Sequence, residues 1–306
     1  MSTIAVILIN WNRSEDTIGC VESIHRSTYK DLEVIVVDNG SRSEELEKLR
    51  RLGASATILE LAENRGFTGG NNYGIEYAER HAFDFAFILN NDTIIHEQTI
   101  ENLIATFNGA NDDECPIGIV TPKILFLPER EKIWFAGATL SRWTLTAKLV
   151  GYGQVDQGKY DIENDIPWAT GCAMLMRIET LKKASGFDER YFAVSEDIDL
   201  SLRLRSMGYR IVYQPRAWLW HKESASSDGR DNPQYVYYQV RNYMMFQKIW
   251  SRSAVNLFLG RIYLFGYLSK RLAIFLWRRK GRSALALIGG ISDGWRMVGG
   301  KSVKAY

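Results

Sequence analysis

Cysteine, histidine and proline are scarce in this 306-residue chain: three Cys, four His and six Pro. Cys20, Cys115 and Cys172 lie far apart and form no Cys-x-x-Cys pair, so a disulfide framework is excluded and reduced, intracellular thiols are expected. No zinc-finger spacing, basic zipper, internal repeat or low-complexity linker appears anywhere. Long uncharged apolar runs are missing too. The opening run Ile4–Ile9 is too short for the core and cleavage region of a signal sequence and has no basic leader, so it reads as a buried strand. Between Val255 and Trp277, Arg261, Lys270 and Arg271 interrupt the apolar sequence before about eighteen uncharged residues accumulate, which argues against a spanning helix. What remains is 46% apolar residue content, enough for one large core with a smaller appended segment.

Charge is unevenly spread. From Ser251 onward there are eleven Lys or Arg against one acid, Asp293, so the net charge of +2 conceals a tail of +10 and a remainder of −8. A basic, aromatic tail fits an anionic surface; without nucleic-acid-binding motifs, a membrane leaflet is favoured over nucleic acid. The chain divides accordingly into a domain over 1–250, with a hinge near Ser251–Ser253, and a basic, apolar helical segment over 251–306. That segment is expected to lie on the cytoplasmic face of the plasma membrane as interfacial helices, broken at Gly266, with Arg278-Arg279-Lys280 at the headgroups. Ordinary packing on the rest of the chain or on a second copy, as in a homodimer, is the alternative. Arg261 and Lys270 would fall on opposite sides of one continuous helix, which favours that alternative.

The first half alternates apolar runs with helix-like stretches: Ile4–Ile9, Asp16–Ser27, Leu32–Val37, Ser43–Leu52, Thr57–Leu61, Asn72–His81 and Phe83–Leu89. This is the rhythm of βαβ units around a mostly parallel sheet, in which ligands bind beyond the carboxyl ends of the strands. Those ends carry Asn10-Trp11-Asn12, Asp38-Asn39-Gly40-Ser41 and Asn90-Asn91-Asp92. From about Pro116 the pattern becomes irregular, with strand-like Ile133–Leu140 and Trp168–Arg177, a helix near Glu196–Met207 and a strand at Arg210–Tyr213.

Each motif has a bland reading beside a chemical one. Asp38-Asn39-Gly40-Ser41 is turn composition, yet a carboxylate at a strand end also accepts hydrogen bonds from a nucleoside. Asn64-Arg65-Gly66-Phe67-Thr68-Gly69-Gly70-Asn71-Asn72 reads as a glycine-rich loop before a helix, where backbone N–H groups and Arg65 attract phosphate; it is neither a Walker loop nor a dinucleotide fingerprint. Asp92 caps a helix or anchors a divalent cation whose other ligands are phosphate and water. Ser195-Glu196-Asp197 with Asp199 sets three carboxylates at a helix start, explained by capping and the helix dipole or by a proton-accepting role toward an attacking hydroxyl. Asp199 and Arg203, four apart, read as an ion pair. His221, after Trp218-Leu219-Trp220, reads as a structural histidine or a metal ligand.

In order and spacing, Asn10-Trp11-Asn12-Arg13, Val36-Val37-Asp38-Asn39-Gly40-Ser41, Asn64-Arg65-Gly66-Phe67 with Gly69-Gly70-Asn71-Asn72, Leu89-Asn90-Asn91-Asp92, Gly186-Phe187-Asp188-Glu189 and Glu196-Asp197 resemble the family 2 glycosyltransferases. The resemblance runs from Ile4 to His221 and implies the α/β GT-A fold, with a donor-binding half over about 1–115 and an acceptor-binding half over about 116–250. It implies that Asn10, Asn12, Asp38, Asn64, Arg65, Gly70, Asn71, Asn91 and Asp92 surround a nucleoside diphosphate sugar, dTDP- or UDP-linked. It implies that Asp92 and His221 meet Mg²⁺ or Mn²⁺, with Asn90 standing where the family's DxD motif often has its first Asp. Asp197 would be the general base of an inverting displacement, with Glu196 shaping the site or touching the acceptor. The Asn-Trp-Asn opening and the Asn-Arg-Gly-Phe loop look most like rhamnosyltransferases of bacterial surface polysaccharides such as O-antigen and cell wall, with a glycan or lipid-linked glycan as acceptor. A sugar-nucleotide pyrophosphorylase is the rival enzyme, but its glycine-rich basic loop after the first strand is absent: Asn10–Thr17 has no glycine. A non-catalytic nucleotide-sugar-binding protein is the remaining alternative, supported by Asn90 and opposed by Glu196-Asp197.

Overall fold

The computed structural model describes residues 2–109, 115–222 and 231–302. Strands β1 (Ile4–Asn10), β2 (Leu32–Asn39), β3 (Thr57–Leu61) and β4 (Phe85–Asn90) alternate with helices α1 (Ser14–His25), α2 (Ser43–Arg50) and α3 (Gly66–Arg80). β1 pairs parallel with β2 and β4, each carrying a run of apolar side chains buried on both faces, and β2 pairs parallel with the half-buried edge strand β3. Then follow β5 (Thr93–Ile95), α4 (Thr99–Asn108), β6 (Ile117–Phe126), β7 (Ile133–Phe135), β8 (Ala138–Leu140), β9 (Ala147–Leu149) and β10 (Asn164–Asp165). β11 (Ala173–Arg177), α5 (Ile178–Lys183), α6 (Glu196–Ser206) and β12 (Arg210–His221) complete the sheet region. The sheet runs β10-β12-β6-β11-β4-β1-β2-β3, with β5 on β12 and β7 on β6; β11 is antiparallel to β4 and β6. The chain leaves β1 toward β2 on one side and returns to β4 on the other, so the crevice at their carboxyl ends is a topological switch point. This is the expected α/β architecture.

Three details differ from the sequence reading. Helix α3 begins at Gly66, not Asn72: Gly66 enters at φ 75, and Gly70 and Gly74 lie close against β1 and β2. β12 continues past Tyr213 to His221, with a register shift against β6 between Gln214 and Trp218, so His221 ends a strand instead of following one. Ser195 makes no side-chain cap; it sits at φ 76 ahead of α6.

Helices α7 (Pro233–Trp250), α8 (Ala254–Trp277) and α9 (Gly281–Trp295) share one apolar cluster built from Val236, Val240 and Met244, Leu264, Leu268 and Phe275, and Ala284 and Leu287. Asn232 caps α7 by accepting from Gln234 N at 2.9 Å, with Pro233 in the first turn. Gly290 and Gly294 let α9 press onto α7: a Cβ on either would lie 2.8 Å from the carbonyl oxygen of Tyr237 or Arg241. α8 is continuous through Gly266, which corrects the expected break; a glycine costs a helix only about 1 kcal/mol, and Leu264 and Leu268 are buried on either side of it. No described helix is long and apolar enough to cross a membrane. Residues 303–306 of the tail lie outside the described residues.

Candidate active site

The first turn of α6 carries the carboxylates. Asp197 is fixed by backbone donors, Gly171 N to Oδ2 at 3.0 Å and Ile198 N to Oδ1 at 2.8 Å. Glu196 is 7% exposed and its Oε2 has no hydrogen-bond partner. Burial, and then the neighbouring Asp197 charge, push the Glu196 carboxyl well above the usual carboxylate range. Burial also raises Asp197, against the Gly171 and Ile198 N–H groups that favour its charged form. Asp199 is used up structurally, as its spacing from Arg203 predicts: it accepts from Arg203 Nε at 2.8 Å, Trp250 Nε1 at 2.9 Å and Tyr191 Oη at 3.3 Å. Glu196 and Asp197 open into a cavity of about 400 Å³ walled by Trp168, Tyr243 of α7, and Tyr263, Leu264, Tyr267 and Leu268 of α8.

At the carboxyl ends of β1, β2 and β4 the asparagines form one network. Asn10 Nδ2 donates to Asp38 Oδ1 at 2.9 Å and to Ser41 Oγ at 3.1 Å, while Asn10 Oδ1 accepts from Thr17 Oγ1 at 2.8 Å. Asn91 Nδ2 donates to Thr17 Oγ1 at 2.8 Å, which ties the third strand end to the first. Asn12, at φ 55, donates its N–H to Ser41 Oγ at 2.9 Å. Asn10, Asn12, Asp38 and Asn91 are thus brought together. Asn64 folds over its own loop, its Oδ1 accepting from Gly66 N at 2.7 Å, and Arg65 pairs with Glu189 at 3.3 Å. Gly70 and Asn71 lie on the buried side of α3: a Cβ on Gly70 would meet Ile9 at 3.1 Å, and Asn71 Nδ2 turns back to Phe67 O at 2.9 Å.

Asp92 Oδ1 and His221 Nε2 are 3.0 Å apart and both buried, because β5 and β12 pair Thr93 with His221. Burial would raise Asp92, but the hydrogen bond and charge of His221 outweigh it and the carboxyl lies below its ordinary value. For His221, burial opposes the imidazolium, and Cys172 and then Asp92 hold it well above the usual imidazole value. Burial keeps the Cys172 thiol itself raised and neutral, so Asp92 is the partner that matters. A carboxylate oxygen and an imidazole nitrogen converging at this distance fit two sites of a divalent cation. Among the described residues no cluster of three His, Cys, Asp or Glu side chains could hold a metal, so the remaining ligands would come from phosphate and water.

Sequence reasoning missed Asn39, Thr17 and Ser41 as organisers. Asn39 Nδ2 donates to Gly66 O at 2.9 Å and its Oδ1 accepts from Arg65 N at 2.8 Å, fastening the phosphate-loop candidate to β2. Its position beside Asp38 was the available signal. Residues 190–194, ahead of α6, were missed entirely, and Ser195 was read only as a cap. Phe192, Val194 and Ser195 adopt φ 65, 74 and 76, a region that costs about 1–3 kcal/mol for each non-glycine residue. Buried Arg241 and Asn242 of α7 hold this segment through its carbonyl oxygens.

A crevice at a switch point, a carboxylate–histidine pair beside it and a carboxylate at a helix start facing a cavity lie on the α/β sheet of the GT-A fold. Residues 2–241 match the family described as glycosyltransferase like family 2, and the chain belongs to it: it is a glycosyltransferase. It is 24% identical over 83% of its length to the low-salt glycan biosynthesis hexosyltransferase Agl10 of Haloferax volcanii, of which it covers 78%. Over 22% of each chain it is 42% identical to the N-acetylglucosaminyl-diphospho-decaprenol L-rhamnosyltransferase of Mycobacterium tuberculosis. The crystal structure of GalNAc-T7 with UDP, GalNAc and Mn²⁺ shares the fold at a TM-score of 0.64 and 14% identity, over 82% of this chain and 48% of that one. The chain therefore spans about half the length of that protein.

Proposed function

We propose that the protein transfers a sugar, with inversion, from a dTDP- or UDP-linked donor to a hydroxyl of a glycan or lipid-linked glycan, and rhamnose is the donor sugar we favour. The observation that carries the reading is the placement of Asp197, pinned by two backbone N–H groups, at the mouth of an aromatic cavity. Asp197 takes the proton of the acceptor hydroxyl as that oxygen bonds to the anomeric carbon and the bond to the diphosphate breaks. Glu196, with a free Oε2 in the same cavity, holds a second acceptor hydroxyl. Asp38 and the amides around it receive the nucleoside, and Arg65 swings from Glu189 to the diphosphate. Mg²⁺ or Mn²⁺ held by Asp92 and His221 would supply charge neutralisation for the leaving diphosphate. The relative named a rhamnosyltransferase supports the sugar; the structure solved with UDP and Mn²⁺ supports the nucleotide and metal classes. Thermal shifts with a panel of UDP- and dTDP-sugars plus Mn²⁺ identify the donor, since a ligand of the native state raises its apparent stability. No shift with any of them would overturn the reading.

The acceptor side of this reading includes a peripheral site on the inner face of the plasma membrane. Val255, Phe258, Ile262 and Phe265 form a stripe along the outer face of α8, and Phe265 and Trp277 are 75% and 82% exposed. The opposing argument, that basic residues would spoil every face of one helix, loses force from the packing. Arg261 turns inward to donate to Met244 O at 3.0 Å, and Arg271 is bound to Gln239 and Asp231. Lys270 and Arg279 remain exposed, as do Arg278 and Lys280, which share Asp231 with Arg271, and such a basic surface beside an apolar stripe is the pattern of a helix lying in an anionic leaflet.

A further inference from the structure

The strained segment ahead of the carboxylates is held by α7 largely through its backbone carbonyls, with the Phe192 ring stacked on Tyr238. Asn242 Nδ2 shares its two hydrogens among three carbonyl oxygens, Tyr191 at 2.9 Å, Ala193 at 2.6 Å and Val194 at 2.7 Å. Arg241 Nε donates to Asn242 Oδ1 at 2.8 Å, which fixes the amide so that its N–H groups face those carbonyls. The same guanidinium, fully buried, donates to Arg190 O at 3.0 Å, Tyr191 O at 2.8 Å and Gly300 O at 2.5 Å, and stacks over Tyr238 with its carbon 4.8 Å from the ring centre. Gly300 N in turn donates to Arg190 O at 2.7 Å. On its far side the segment meets the phosphate-loop candidate, where Phe192 O accepts from Thr68 N at 3.2 Å.

We infer that Asn242, oriented by Arg241, is a positioning residue for Asp197: it holds residues 191–194, in which Phe192 and Val194 are left-handed, and so sets where the first turn of α6 delivers its carboxylate. Neither Asn242 nor Arg241 lines the cavity, so their effect passes through the segment and not through substrate. Without the amide, Phe192, Val194 and Ser195 relax toward negative φ, and a reorientation at Ser195 turns the residue that follows it. A small displacement of a base is enough: about 1 Å of misplacement lowers turnover about 10²-fold.

The inference rests on Asp197 as the proton acceptor, so Asp197→Asn, Asn242→Asp and Asn242→Ala are compared in one assay. The assay is transfer and hydrolysis of the nucleotide sugar chosen by the thermal-shift panel, with UDP plus Mn²⁺ as the probe of the donor site. Asn242→Asp keeps the shape and sets an acceptor against three acceptors. Both Asn242 variants are expected to lower kcat about 10²-fold and to move the acid limb of the pH–kcat profile, with a loss of UDP affinity, passed through Phe192 O and Thr68 N, that is smaller than the loss in kcat. If Asn242→Asp does not fold, Arg241→Lys, which keeps the charge and loses the fork, is expected to give the same split. An active Asp197→Asn overturns the assignment of the base. An inactive Asp197→Asn beside an Asn242→Ala of wild-type kcat and pH profile overturns the positioning role alone. A lowered Tm with unchanged kcat per folded molecule does the same, because it marks Asn242 as structural only.

Discussion

Replacing Asp197 by Asn tests the chemistry and has a second effect that the geometry dictates. The carboxylate accepts Gly171 N on one oxygen and Ile198 N on the other. Asn has a single acceptor oxygen, so its amide N–H₂ must face one of those donors and one buried hydrogen bond is lost. Such a loss costs about 1–3 kcal/mol of stability, read as a lower Tm. Transfer should fall about 10²- to 10⁴-fold, the usual contribution of a positioned base. UDP affinity should stay within about threefold, because Asp197 contacts none of the residues at the β1, β2 and β4 ends. Glu196→Gln is the matched control with the opposite sign on stability. Glu196 Oε2 has no partner to lose, and its carboxyl is raised by burial. A raised folded pKa gives stability that is present below the unfolded carboxyl pKa and lost as pH rises through the folded value. Glu196→Gln should therefore raise Tm at neutral pH, with the gain shrinking as pH falls into the ordinary carboxylate range. Kinetics are read as release of nucleoside diphosphate, with Tm on the same samples. An Asp197→Asn variant within about tenfold of wild type beside a dead Glu196→Gln would transfer the base to Glu196 and refute the reasoning.

Asp92→Ala should abolish the Mn²⁺-dependent gain in UDP affinity and His221→Ala should weaken it less, since the carboxylate is the charged partner of the pair; a wild-type Mn²⁺ titration in Asp92→Ala would displace the cation site. Phe258→Ser with Phe265→Ser should lower co-sedimentation with anionic vesicles about tenfold or more while leaving Tm unchanged, because both side chains are exposed and outside the helical core. Equal pull-down of the variant and the parent would remove the membrane role. Gly66→Ala should lower Tm and UDP affinity together: the residue sits at φ 75, and an added Cβ would collide with the Phe192 backbone and ring. Unchanged UDP affinity would detach this loop from the donor.

Much of the strand-end crevice was legible because β1, β2 and β4 are runs of Val, Ile, Leu and Phe that end in polar residues, and a parallel sheet collects such ends at one edge. The start of α6 was equally visible in its carboxylates. Helix α3 was read late because glycine is a poor helix former in isolation; here close packing on β1 and β2 overrides propensity. β6 was hidden by Pro122 and Lys123, and the lysine is tolerated because Asp156, 2.7 Å away, neutralises it. Asn39, Arg241 and Asn242 carry no periodic signal at all. Their partners are backbone atoms of distant segments, which only the folded chain brings within reach.

The contact between Arg241 and Gly300 has a consequence for how the protein is made. The sheet and the crevice at its strand ends are complete by residue 221, yet the guanidinium that steadies the segment before Asp197 shares its hydrogens with a carbonyl 59 positions downstream. During synthesis the sheet can therefore form before this segment is locked, since folding starts on the part of the chain that emerges first. A nascent chain would then form the strand-end crevice before the Gly300 carbonyl emerges to fix the Arg241 guanidinium and, through it, the segment ahead of Asp197.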